Sequence, residues 1–144
     1  MASSTLPAFG TLIKFGDGAT PEVFTAVAEV RNISGPGFAV DTAEVTHHAS
    51  PGAWEEVVAT IIRSGELSLE LGHLPANATQ DAATGLVYIM SQRTKRNWQL
   101  VFPTNPAKTW SFAGLVVGFE PASPHDADMT ASATIKITGQ PTFS

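Results

Sequence analysis

The chain has 144 residues, 43% of them hydrophobic and 15% charged, with a formal net charge of -5 and a pI near 5.2, the balance of a folded chain with a core of its own. It contains no cysteine, which excludes thiolate catalysis, disulfide scaffolding and cysteine-ligated zinc. The acidic balance also opposes the clustered Lys and Arg of a phosphate-gripping protein, and nothing in the composition divides residues 1–144 into more than one domain.

Along the chain, "MASSTLPAFG" (1–10) lacks the basic head and apolar run of a secretory signal, and no stretch approaches membrane-spanning length. The chain is therefore expected to be made in soluble form. "TLIKF" (11–15) and "VFTAVAEVRNI" (23–33) are rich in β-branched and aromatic residues and predict strands, with "GDGATP" and "SGPG" as turns beside them. Next, "DTAEVTHHASPGAW" (41–54) sets two adjacent histidines beside carboxylates and then breaks into Ser-Pro-Gly. Beyond it a short helix is expected, with Ser50 as N-cap, Pro51 at the first helical position, Trp54, Val57, Val58, Ile61 and Ile62 apolar, and Gly65 as the stop. The β-branched content of that run pulls against a helix.

"GELSLELGHL" (65–74) alternates Leu67, Leu69 and Leu71 with Glu66, Ser68 and Glu70, a strand with one wet face. In "NATQDAATGLVYIMSQR" (77–93), Asn77 or Thr79 can cap a helix whose Ala83, Leu86, Val87 and Met90 follow at i, i+3, i+4 and i+7. Arg93, Lys95 and Arg96 follow it, where positive charge complements the helix dipole. "WQLVF" (98–102), "WSFAGLVVGFE" (110–120) and the alternating "TASATIKITG" (130–139) complete the strands, separated by "PTNPAKT" and "PASPH". The sum is a mainly β chain: an antiparallel β-sandwich or barrel with one flanking α-helix, without internal repeat or low-complexity tract.

Catalytic patterns are missing where chemistry would require them. His47 and His48, adjacent on an extended chain, point to opposite faces and share a metal only if the backbone turns there, and His73 and His125 are isolated in sequence. No GxSxG elbow places a serine on a strained turn. Glu55 with Glu56 sits at the expected helix start, and Glu66 with Glu70 on a solvated strand face, so neither pair reads as a glycosidase dyad. Neither GxGxxG nor a P-loop occurs. No catalytic residue, cofactor or metal ligand is assigned.

The order "ISGPGFAVDTAEVTHHASPGAWEEVVATIIRSGELSLEL", "RNWQLVFP", "TWSFAGLVVGFEP" and "MTASATIKITGQP" resembles the tail tube (major tail) proteins of long-tailed phages and of related phage-like particles such as gene transfer agents. The resemblance covers nearly the whole chain, and the joint order is more specific than any single piece. His48 is a departure, since the family pattern has Val-Thr-His followed by variable residues. The resemblance implies a small β-sandwich with a flanking helix that forms hexameric rings, stacked into a hollow tube that conducts DNA, with no enzymatic activity. It further implies a place in the virion tail after synthesis in the host cytoplasm, and tail-initiation, tape-measure and tail-terminator proteins as partners. Double-stranded DNA would pass without specific binding, and no membrane is involved. With the chain ending soon after "TGQPTFS", no appended immunoglobulin-like domain is expected. Secretion-system tube proteins share the architecture.

Within that frame the polar, Pro/Gly-punctuated stretch becomes an interface to a neighbouring subunit or ring, carried by Asp41, Thr42, Glu44, Thr46, His47, His48, Ser50 and Trp54. Such a loop can stay mobile in the monomer and order on assembly. Glu66, Ser68 and Glu70 are the candidates to face the lumen, where negative walls let a duplex slide. Two rival readings are a stand-alone β-sandwich module that stacks carbohydrate on Trp98 or Trp110, and a small hydrolase.

Overall fold

The structure, a computed structural model, describes residues 5–144; residues 1–4 of the N-terminal stretch searched for a secretory signal lie outside it. Nine strands and one α-helix follow in the order β1 (Leu12–Gly16), β2 (Phe24–Ala26), β3 (Val30–Ser34), β4 (Ala39–Glu44), β5 (Val57–Arg63), β6 (Glu66–Gly72), α1 (Leu86–Gln92), β7 (Arg96–Phe102), β8 (Lys108–Ala122) and β9 (Thr130–Phe143). Seven strands make one antiparallel sheet in the order β2-β1-β7-β8-β9-β6-β3, and β4 pairs with β5 in a sheet of its own. The mainly β, antiparallel architecture with a single helix is the one the alternating patterns predict.

The seven-stranded sheet is rolled rather than open. Its two edge strands, β2 and β3, are consecutive in sequence, and residues 27–29 between them bridge the two ends of the sheet. Val27 N–H donates to Ile13 O at 2.9 Å and Gly72 N–H to Glu29 O at 2.8 Å. The run 23–33, expected as one strand, is thus two short strands that exchange partners in the middle. Rolling turns one face of every long strand inward: Ile13, Leu67, Leu69, Leu71, Trp98, Leu100, Phe112, Ala133, Ile135 and Ile137 form a buried core with Leu86 and Ile89 of α1. The period-2 alternation of β6 and β9 accounts for their share of it. Trp98 satisfies its buried indole N–H on Gly114 O at 3.2 Å.

The helix is shorter than its apolar spacing implies. Residues 77–85 form successive turns, Gly85 takes the N-cap position, and α1 starts only at Leu86. Asn77 and Thr79 serve the turns instead, with Asn77 Oδ1 accepting from Thr79 N at 2.9 Å, and Ala83 is exposed. Gly85 packs against the preceding turn so closely that a Cβ there would lie 2.3 Å from Gln80 N, a compact corner that a continuous helix would destroy. The basic run after α1 divides: Arg93 is the left-handed C-cap residue, while Arg96 donates to Gly16 O at 3.0 Å.

The second expected helix is absent. Pro51–Ala53 is a single 3-10 turn without a side-chain cap from Ser50, and Val57–Arg63 is strand β5. The spacing of Val57, Val58, Ile61 and Ile62 fits a helical stripe, yet it also fits a strand that is apolar on both faces. Five β-branched residues among the seven favour the strand.

Candidate assembly interface

The β4-β5 hairpin is an arm outside the core. Every residue of β5 is exposed, and so is all of β4 except half-buried Asp41. The register, which shifts between Val40 and Thr42, puts Val40, Val57 and Ile62 on one face, the last of them 71% exposed, and Val58 on the other. A two-stranded ribbon is marginal in water even with one face covered, and large aliphatic groups on both faces cost free energy until something covers them. Both outer edges of the ribbon also lack a strand partner among the described residues, leaving backbone donors and acceptors available to another chain.

At its neck the arm is held to the sheet. Gly65 has φ +70°, and a Cβ on it would sit 2.4 Å from Gly37 O, so the two legs of the arm touch backbone to backbone where only glycine fits. Ser64 Oγ donates to Gly139 O at 3.1 Å. Phe38, at the start of the arm, packs on Trp110 and Phe143 with ring centroids 5.7 and 5.6 Å away. Along the arm, Arg63 Nε meets Asp41 Oδ2 at 2.7 Å.

The tip is closed by its own polar groups rather than left open. Glu56 N–H donates to Thr46 Oγ1 at 2.8 Å and His47 N–H to Ser50 Oγ at 3.0 Å. Ser50, the buried residue of the tip, donates its hydroxyl to the Glu56 carboxylate, and His47 Nε2 lies 3.6 Å from the same carboxylate. These bonds close the stretch into a turn. Trp54 stands out from it, 78% exposed, and Thr42, Glu44 and His48 are exposed too. The eight residues assigned from sequence all fall on this arm and tip; of the apolar part of the same surface, Val57, Val58, Ile61 and Ile62 read from sequence as a helix, and Val40 carries no assignment there.

A second surface is polar. The outer face of β3-β6-β9-β8 sets Ser34 opposite Ser68, Ser68 opposite Thr134, Glu70 opposite Ser132 and Glu66 opposite Lys136, and Glu120 lies across from Ser132. Asn32 Nδ2 donates to Glu70 Oε2 at 3.0 Å, and Lys136 Nζ is 3.9 Å from Glu66 Oε1. Glu66, Glu70 and Glu120 against Lys136, with Arg31 at the β3 edge paired to Asp128, make this hydroxyl-rich face wet and net negative.

The sites proposed by the rival readings look different. Trp98 is 0% exposed and offers no ring to a sugar, while half-buried Trp110 is enclosed by Phe38, Phe102 and Phe143. Two of the isolated histidines remain apart: His73 packs its ring near Phe119, and His125 lies in the exposed β8-β9 connection.

Comparison with known proteins follows the same outline. The family model described as lambda phage tail tube protein, TTP, matches residues 9–144. Among solved structures, a chain of the tail of an empty gene transfer agent particle, refined with C6 symmetry, superposes with a TM-score of 0.75 at 18% identity, covering 97% of this chain and 99% of that one. A chain of the native gene transfer agent virion gives 0.74 at 17% identity, with the same coverage of 97% and 99%. The SPP1 tail tube gives 0.67 at 11%, covering 96% of this chain and 80% of that one. At these identities the likeness is one of fold. No curated protein matches the chain.

Proposed function

The chain belongs to the lambda phage tail tube protein family and is a tail tube protein of phage-like particles; from that premise we propose that it acts as a single structural domain, six copies to a ring, with rings stacked into a tube through which double-stranded DNA leaves the particle. The observation that carries the reading is the β4-β5 arm: a ribbon apolar on both faces has a stable place only between other subunits. The six-fold symmetry of the superposable gene transfer agent tail supports the ring size.

In this reading Asp41, Thr42, Glu44, Thr46, His47, His48, Ser50 and Trp54 contact the neighbouring subunit or ring, and Val40, Val57, Val58, Ile61 and Ile62 supply the apolar area. Glu66, Ser68 and Glu70 line the lumen together with Asn32, Ser34, Glu120, Ser132 and Thr134. Their excess of carboxylates repels phosphate rather than holding it, which suits passage without binding. The role is structural, without catalysis. Tail-initiation, tape-measure and terminator proteins bound the tube at its ends and along its bore, and the protein is made in the host cytoplasm before it enters the virion.

Negative-stain microscopy of the purified protein over a range of concentrations tests this directly. Rings or tubes are expected, more of them at high concentration or beside tail-initiation proteins. A strict monomer under all these conditions overturns the reading.

A further inference from the structure

Besides the protruding arm, the described residues form a recess of about 730 Å³ at the arm's foot. Leu6, Phe9, Leu12, Ile33, Leu100 and Phe102 line it. It lies where the roll is incomplete: β2 pairs only with residues 14–16 of β1, so the first residues of β1 and the outer edge of β3 face each other across a gap. The size falls in the range of clefts that enclose drug-sized groups, so an indole enters with room for its flanking residues. At its rim Phe9 is 95% exposed, more uncovered than Trp54 at the arm's tip.

We propose that this recess is the socket for Trp54 of a second copy of the chain. The proposal deepens the tube reading and rests on it. A chain cannot fill its own socket. The recess reaches Gly35, just before the neck, whereas Trp54 lies beyond strands of six and seven residues, on the order of 20 Å away while the ladder stays extended. A projection and a receptor at separate places on the chain make a heterologous contact, and its repetition in one sense builds a ring or a stack.

The area argues the same way. Trp54, Phe9 and Leu6 together offer on the order of 500 Å² of apolar surface, below the roughly 1,200 Å² of a stable two-body interface. Inside an array each copy uses both its tip and its socket, which doubles the area per chain. A lone pair is therefore held by about half the area per chain that an array supplies, so the contact favours monomers until a seed presents several sockets together.

Cross-linking tests it cleanly because the chain has no cysteine of its own. Trp54→Cys chains are mixed with Phe9→Cys chains, assembled and oxidised, and the covalent pair is identified by mass. The expected yield is at least tenfold that of a control mixture of Trp54→Cys with Ser132→Cys, which lies on the polar sheet face. Tubes whose yield equals the control overturn the socket and leave the tube reading standing; an unmodified chain that never assembles overturns both. Iodide quenching of the unmodified protein gives a second measure should the cysteine variants fail to assemble. Trp54 is its exposed tryptophan, so assembly should lower the quenching constant severalfold. Phe9→Glu, at a site with almost no packing to lose, should keep the monomer folded and abolish that protection. Protection that persists in Phe9→Glu tubes overturns the proposal.

Discussion

Gln80 is 1% exposed, and its amide serves three backbone groups at once: Nε2 donates to Ala28 O and to Gly72 O, both at 3.0 Å, and Oε1 accepts from Leu74 N at 3.0 Å. These bonds tie the bridge between β2 and β3 to the end of β6, so one side chain holds the closure of the roll. Gln80→Leu keeps the volume but leaves the buried Gly72 O and the part-buried Ala28 O and Leu74 N without this partner; the last two are open to water, so a loss of about 2 kcal/mol is expected, measurable by urea unfolding. A loss below about 1 kcal/mol would mean that water replaces the amide. Its neighbour Asp81 accepts N–H bonds from Thr84 at 2.8 Å, Ala83 at 3.2 Å and Gly85 at 3.0 Å, and the bond from Thr84, followed by those from Ala83 and Gly85, holds its carboxyl below the usual aspartate value. A folded value below the unfolded one means that the stabilisation is present above about pH 4 and is lost as pH falls through the lower folded value. Asp81→Ala is therefore expected to lower Tm at neutral pH, with the difference from the parent protein vanishing in strong acid. A difference that stays constant down to acid would assign the effect to something other than the charge.

At the scale of elements, the arm separates folding from assembly. The core lies wholly in the rolled sheet and α1, so changes to the tip should leave the monomer intact. Replacing residues 47–52 with a short Gly/Ser linker removes the His47-Ser50 bond and the hydroxyl that meets Glu56. The variant should keep its circular dichroism and thermal transition but stack rings poorly by microscopy. Normal tubes would remove the tip from the interface, and an unfolded variant would place it in the core. Gly65→Ala probes the neck instead. A methyl group 2.4 Å from Gly37 O, on a residue with φ +70°, forces the legs apart. The expected result is a folded chain whose arm points elsewhere and whose assemblies are irregular or absent.

For the whole molecule the deciding quantity is which charge the bore presents. Glu66→Lys with Glu70→Lys reverses two of the three carboxylates on the polar sheet face. It also sets a lysine opposite Lys136, a cross-strand like-charge pair that costs about 0.5 kcal/mol, and removes the bond from Asn32. Folding should survive. Each ring would then attract phosphate, and repetition along the tube should slow DNA ejection at low salt and restore it at high salt. Normal tubes with unchanged ejection at both salts would place this face outside the bore.

The sequence by itself determined the period-2 strands, since alternation in residues 65–74 and 130–139 forces one face inward whatever the partner strand. It also determined the family, whose motif order runs through nearly the whole chain. It misjudged the two places where apolar spacing was compatible with more than one structure. Val57, Val58, Ile61 and Ile62 read as a helix because apolar residues on a soluble chain are assumed to be covered by that chain; the register of β4 with β5 shows a ribbon covered by neither face of the core. Helical spacing likewise extended α1 back to Asn77, where a tight corner at Gly85 and bonds from Gln80 to distant strands hold turns instead. The gap between β1 and β3 has no local signature at all. Alternation, turns and motif order are short-range properties that a sequence displays directly, whereas burial against distant strands, the gap in the roll and the exposed arm depend on which segments meet, and only the tertiary structure decides that.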